Sequence, residues 1–260
     1  MSKQQAPIGV FDSGVGGIST LRTLAQALPN EDFIFYGDSA NAPYGEKPSD
    51  QVCQLATQVL DQLKQHQAKA VVIACNTATS AAKQQLMAAN PTLPILGIEP
   101  ALKQAVDAGK QHILVMATPL TISLPKYQAQ VARFEATTQI YSLSCPGLAD
   151  SIEKGHAGLA QTQALVDRLM ADVTTAPIDG VVLGCTHYPF IADMIRREFD
   201  HPVTVYTGYE GLAKNLTKHL TDQGLLRTHN DHRQIHFYSS RDTPAELALY
   251  QHLFEHGITE

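Results

Sequence analysis

Short apolar runs alternate with longer amphipathic stretches along almost the whole chain. Ile8–Phe11, Phe33–Tyr36, Ala70–Ala74 and Leu93–Ile98 read as strands. Between them, Ile18–Leu28, a segment from Ser49 and Ala78–Ala89 read as helices. The first carries Ile18, Leu21, Leu24, Ala25 and Leu28 on one face. The second carries Val52, Leu55, Ala56, Val59, Leu60 and Leu63, with a Ser or Asp cap at its start. A helix over Ala101–Ala108, closed by Gly109, leads to a second series. Its strands are His112–Met116, Ile140–Leu143, Ile178–Leu183 and Val203–Tyr206. Its helical stretches are Tyr127–Phe134, a segment from Leu148, Leu159–Met170 and a helix after Pro189. Helix Leu212–Leu220, a polar loop at His229–Arg233, strand Ile235–Tyr238 and helix Pro244–Phe254 close the chain. The alternation predicts an α/β protein with mostly parallel sheets. The predicted plan is two similar lobes, the second inserted in the first: 1–98 with 208–260, and 99–207.

Two stretches echo each other. Ala70-Val71-Val72-Ile73-Ala74 runs into Cys75-Asn76-Thr77, and Gly180-Val181-Val182-Leu183-Gly184 runs into Cys185-Thr186-His187. Continuous apolar runs of this length suit strands buried on both faces. Each thiol then falls at a strand's carboxyl end, the edge where open α/β sheets bind ligands. Two thiols facing one cleft suit the removal of a proton from one face of a carbon and its return to the other. The competing reading is a pair of buried, inert cysteines, since free Cys is among the most buried residue types.

Other strand ends carry chemistry too. Asp12-Ser13-Gly14-Val15-Gly16-Gly17 is a glycine-rich strand-to-helix turn able to hold an anion on backbone N–H groups. Ser19 replaces the third glycine of a dinucleotide fingerprint, which makes that motif weak. Asp12 reads either as a site residue or as a helix cap. Gly37–Pro48 is dense in turn residues at a strand's end, as binding loops are. Ala117-Thr118-Pro119-Leu120-Thr121 is a hydroxyl-bearing turn and the second-half counterpart of the Asp12 turn. Cys53 and Cys145 read as packing residues.

Composition narrows the class. The chain has 260 residues, 44% of them hydrophobic, enough for a sizeable core without staples. Its net charge of −6 with no basic run argues against a nucleic-acid partner. None of the four cysteines forms a C-x-x-C pair, Met1–Pro7 is short and polar, and no apolar run reaches membrane-spanning length. The expectation is a soluble cytoplasmic protein with reduced thiols and no membrane partner. A zinc site from Cys75, Cys185 and His187 is an alternative, one ligand short of the usual four.

The motifs together resemble the glutamate racemases. They are Phe11-Asp12-Ser13-Gly14-Val15-Gly16-Gly17, Ala42-Pro43-Tyr44-Gly45, Ala74-Cys75-Asn76-Thr77-Ala78-Thr79, Gly97-Ile98-Glu99-Pro100, Cys145-Pro146 with Glu153 beyond it, and Gly184-Cys185-Thr186-His187-Tyr188-Pro189. They follow the family's order and cover most of the chain. The resemblance implies two α/β lobes with the active site in the cleft between them, and a homodimer. It implies cofactor-independent interconversion of L- and D-glutamate for peptidoglycan synthesis, with no metal. Cys75 and Cys185 would be the two acid/base residues, assisted by Asp12, His187 and Glu153. Substrate contacts would come from Asp12, Ser13, Tyr44, Gly45, Asn76, Thr77, Thr118, Thr121, Thr186 and His187. Thr207-Gly208 stands where the family usually has Asp-Ser, and Ala149-Asp150-Ser151 replaces a more apolar run before Glu153.

Overall fold

The computed structural model describes residues 3–256, with the side chains of His156 and Ala157 left aside. Nine strands run β1 (Ile8–Asp12), β2 (Phe33–Gly37), β3 (Ala70–Ile73), β4 (Ile95–Gly97), β5 (His112–Ala117), β6 (Gln139–Ser144), β7 (Gly180–Leu183), β8 (Thr204–Tyr206) and β9 (Ile235–Ser239) among the described residues. The α-helices are α1 (Gly17–Ala27), α2 (Ser49–Gln65), α3 (Asn76–Ala89), α4 (Leu102–Asp107), α5 (Pro119–Ser123), α6 (Pro125–Ala132), α7 (Leu148–Glu153), α8 (Leu159–Met170), α9 (Ala192–Arg197), α10 (Tyr209–Asp222) and α11 (Pro244–His256). The chain divides into two compact units, Met1–Ile98 with Tyr209–Glu260, and Glu99–Gly208.

The first unit is built on a parallel sheet of order β4-β3-β1-β2-β9. Every residue of β1 and β3 is buried, as their unbroken apolar runs require. One face packs Ile8, Val10, Phe33, Phe35, Ala70 and Val72 against α1, α10 and Tyr250 of α11. Each fully buried aliphatic side chain there is worth roughly 1.5–3 kcal/mol. At the amino ends of the strands, buried Lys69 bonds Glu31 and the carbonyls of Gln4 and Leu225, which ties the N-terminal segment and the turn after α10 to the sheet.

The second unit repeats the plan with a parallel sheet of order β6-β5-β7-β8. Aligned on strand order, β1, β2, β3 and β4 correspond to β5, β6, β7 and β8. In each sheet the strand order reverses beside the first strand, between β1 and β3 and between β5 and β7. Crevices at the carboxyl ends of such reversals are where open α/β sheets place ligands.

Several element bounds differ from the sequence reading for identifiable reasons. α3 begins at Asn76 rather than Ala78, because the Cys75 sulfur itself caps it. β4 starts only after Pro94, which has no N–H for the ladder. Thr118 caps a short helix, α5, with Pro119 at its first position, where the sequence suggested only a turn. Neither Ser49 nor Asp50 caps α2; Pro48 holds that position without a side-chain bond. No described helix is long and apolar enough to cross a membrane.

Candidate active site

In the first unit, Cys75 follows β3 and sits at the N-cap of α3, 5% exposed. Its sulfur accepts the Ala78 N–H at 3.4 Å. A thiolate there accepts the Ala78 N–H and faces the positive end of a fourteen-residue helix, both of which favour the ionised form. The thiol also donates to Ser13 Oγ at 3.7 Å, and the Ser13 hydroxyl donates to Asp12 Oδ1 at 3.4 Å. A Cys–Ser–Asp chain therefore runs along the end of β1. Asp12 does not cap α1: Gly16 occupies that position, and Asp12 accepts the N–H of Gly14 at 2.9 Å. Gly17 must be glycine, because a Cβ there would lie 2.5 Å from the Cβ of Asp12.

The Gly37–Pro48 loop closes over the same sheet end. The Asp38 N–H donates to the Asp12 carbonyl at 2.9 Å. Its carboxylate takes the Tyr44 hydroxyl at 2.5 Å and the Asn41 amide at 2.9 Å. Burial, and then the Asp38 carboxylate, push the Tyr44 hydroxyl well above the ordinary tyrosine range, so it stays a neutral donor. Asn76 and Thr77 are buried in the first turn of α3, and the Asn76 Oδ1 atom has no hydrogen-bond partner. Asp38 was absent from the sequence-based set. Its signal was its place, one residue past a strand in a loop already marked as a binding loop.

In the second unit, Cys185 follows β7 and is 7% exposed. Gly184 before it is needed because a Cβ would meet the Met116 carbonyl at 2.9 Å. The Cys185 sulfur lies 3.7 Å from His187 Nδ1, and His187 Nε2 lies 2.9 Å from Glu153 Oε1. Glu153 is the last residue of α7, which the left-handed Gly147 turns away from β6. Burial works against a charged imidazole at His187. The bonds to Cys185 and Glu153 outweigh it and hold the His187 pKa well above its ordinary value. A protonated His187 is thereby held between the Cys185 sulfur and the Glu153 carboxylate. Thr118 and Thr121 are buried at the start of α5, their hydroxyls 3.0 Å apart, and Thr186 is buried between Cys185 and His187. Burial, with the Cys185 charge adding to it, pushes the Cys145 thiol up to about 12, so it is inert near neutrality. Cys53 donates to the Ala81 carbonyl at 3.1 Å.

The sequence-based residues are divided between the two units: Asp12, Ser13, Tyr44, Gly45, Asn76 and Thr77 lie in the first with Cys75, and Thr118, Thr121, Glu153, Thr186 and His187 lie in the second with Cys185. Among the described residues, no group of three or more His, Cys, Asp or Glu is arranged to hold a metal ion.

Residues 8–215 match the family described as Asp/Glu/Hydantoin racemase. The chain belongs to that family. It is 41% identical over 248 residues to a glutamate racemase of Clostridium novyi, covering 95% of this chain and 96% of the relative. Among solved structures, it superposes on a glutamate racemase isoform from Bacillus anthracis with a TM-score of 0.87 at 29% identity, covering 97% of this chain and 94% of that one. The Francisella tularensis glutamate racemase, solved in complex with D-glutamate, gives 0.83 at 30% identity over 96% and 94% of the two chains. The racemase family places the chain among the isomerases. The family match ends within α10, so β9 and α11 lie beyond it.

Proposed function

We propose that this racemase interconverts L- and D-glutamate without a cofactor, with Cys75 and Cys185 as its two bases. One observation carries the reading: each unit ends a buried strand in a thiol at its sheet's reversal point, and each thiol has its own proton-handling chain. Cys75 has Ser13 and Asp12, and Cys185 has His187 and Glu153.

Removing the α-proton of an amino acid requires a base in contact with it and tolerance of the developing carbanion. A thiolate takes the proton from one face of the α-carbon while a thiol gives one to the other, and the carboxylate carries the charge as an enediolate in between. An ordinary thiol is only a few per cent ionised at pH 7. The helix start at Cys75 raises that fraction, and at Cys185 the His187 imidazole lies 3.7 Å from the sulfur, placed to exchange a proton with it. Backbone N–H groups after Asp12 and at the start of α3 suit the substrate carboxylate. The buried hydroxyls of Thr118, Thr121 and Thr186 suit its polar atoms in the second half.

The use of the product as D-glutamate for peptidoglycan, the cytoplasmic setting and the homodimer belong to the same proposal. They rest on the likeness to glutamate racemases.

The test is purified protein with L-glutamate in D₂O, followed by optical rotation and by NMR of the α-proton. The expected result is rotation decaying to zero with full deuterium incorporation. Cys75→Ser and Cys185→Ser should each abolish racemisation while leaving at most slow exchange from one enantiomer. Full racemisation by either variant would overturn the two-base assignment. Exchange with aspartate but not glutamate would overturn the substrate.

A further inference from the structure

Tyr250, on α11, is fully buried although its ring carries a hydroxyl. A buried hydroxyl needs partners, and this one has three: Ser39 Oγ at 2.6 Å, Glu246 Oε1 at 3.0 Å and Ser239 Oγ at 3.4 Å. A carboxylate only accepts, so the tyrosine's single proton goes to Glu246. The Ser39 hydroxyl then donates to the tyrosine oxygen. The result is a directed chain from Ser39 through Tyr250 to Glu246. The ring packs edge-on against Phe35 of β2, with centroids 5.3 Å apart. Its oxygen presses on the end of that strand, since a Cβ on Gly37 would lie 2.1 Å from it.

Ser39 directly follows Asp38, the residue that holds Tyr44. The same loop is fastened a second time from β9's end: the Ala40 N–H donates to Ser240 Oγ at 2.9 Å and the Ser240 N–H to the Gly37 carbonyl at 3.0 Å. Asp38 and Ala74 lie on opposite flanks of β1, bonded to the carbonyls of Asp12 and Phe11. The Asp38–Tyr44 pair therefore borders the Cys75 cluster, and the Tyr44 hydroxyl is in the field of both Cys75 and Asp12.

We propose that Tyr250 is a positioning residue for the Cys75 half-reaction, its hydroxyl fixing the Asp38–Tyr44 pair through Ser39. β9 and α11 thereby brace the loop that borders one of the two bases. The proposal rests on the reading of Cys75 as a base.

The test compares wild type, Tyr250→Phe, Ser39→Ala and the double variant in three readouts. The first is kcat and KM for each enantiomer. The second is the primary isotope effect with α-deuterated substrate of each hand. The third is iodoacetamide labelling of Cys75 against Cys185, read by peptide mapping without substrate. Tyr250→Phe keeps the ring and removes the hydroxyl. It should lower kcat about tenfold, the upper range for one lost hydrogen bond. The isotope effect should rise for one enantiomer only, and Cys75 should label about threefold faster while Cys185 is unchanged. Ser39→Ala should reproduce this, and the double variant should be no worse than either single. Tyr250→Phe and Ser39→Ala variants with lowered melting temperatures but unchanged kcat, isotope effects and labelling ratio would overturn the proposal. If Tyr250→Phe does not fold, Ser39→Ala alone decides. Labelling needs no turnover, so it separates failure of the brace from failure of the substrate reading.

Discussion

Replacing Glu153 with Gln isolates the carboxylate of the second cluster. Gln keeps the size and can still accept from His187 Nε2, so the change removes charge and little else. The bond spans 2.9 Å, His187 is almost wholly buried, and the Glu153 side chain is only 21% exposed. A hydrogen bond between charged partners contributes about 1.5–3 kcal/mol. Gln keeps a neutral bond of about 0.5–1.5 kcal/mol, so about 1–1.5 kcal/mol is lost, and at 1.36 kcal/mol per tenfold kcat/KM should fall roughly 5- to 13-fold. The pH dependence has a definite sign. The folded pKa of His187 is raised, so its contribution to stability is complete below the unfolded value near 6.5 and is lost as pH rises through the folded value. Without the Glu153 charge one of the causes that raise that pKa is weakened, and the loss begins at lower pH. The melting-temperature gap between wild type and variant should be widest below pH 6.5 and close as pH rises. Labelling of Cys185 by iodoacetamide should need higher pH in the variant, with Cys75 unmoved. Rates for both enantiomers, thermal melts from pH 5 to 9 and labelling profiles measure all three. A variant with kcat/KM within twofold of wild type and an unmoved Cys185 labelling profile would refute the reasoning.

Lys69→Met strands the buried Glu31 carboxylate, which should cost about 3–5 kcal/mol and lower the melting temperature by ~5–9 °C. Activity at 25 °C should persist, because the pair lies at the amino ends of the strands; a melt within 2 °C of wild type would contradict the account. Gly17→Ala puts a Cβ 2.5 Å from Asp12 and should cost about 1–3 kcal/mol as Asp12 is displaced. Its kcat/KM should fall with its stability, and unchanged values of both would remove Asp12 from the Cys75 chain. Native protein at pH 8 should leave Cys145 unlabelled by iodoacetamide, and Cys145→Ala should keep kcat/KM within about twofold, since that thiol is held near 12. Rapid labelling of Cys145 would overturn that assignment.

Most of the fold was legible because the strands that matter are buried on both faces and so print as unbroken apolar runs. β1, β3, β5 and β7 are all of this kind. The thiols were legible because each ends such a run. What periodicity could not show was pairing at a distance. Asp38 and Tyr44 meet through a loop, Glu153 reaches His187 from another helix, and Ser39 meets Tyr250 211 residues away. α5 was missed for a local reason: five residues are too few for a helical period, and only the Thr118-Pro119 cap announces it.

Strand register makes the echo between the halves quantitative and shows where it stops. Ala74 and Gly184 donate to Phe11 and Met116, so these positions correspond, and Cys75 corresponds to Cys185. One step past each first strand, Ser13 then corresponds to Thr118, so each of those positions carries a hydroxyl: Ser13's meets Cys75 and Thr118's meets Thr121. Asp38 and Cys145 correspond as well, since their N–H groups donate to the carbonyls of Asp12 and Ala117. There the likeness ends. Where the first unit has a carboxylate holding a phenol, the second has a thiol too basic to ionise. Its acid–base partner comes instead from the turn after Cys185 and from the end of α7. The repeated sheet accounts for two thiols in equivalent places, and the unlike loops account for unlike proton chains. One chain contains an imidazole that titrates and the other a hydroxyl that does not. Conditions that discharge His187 should therefore slow proton transfer at Cys185 before they slow it at Cys75. Isotope effects from the two enantiomers should diverge as pH is raised, and parallel effects across the range would mean that the two half-reactions share one proton-handling group.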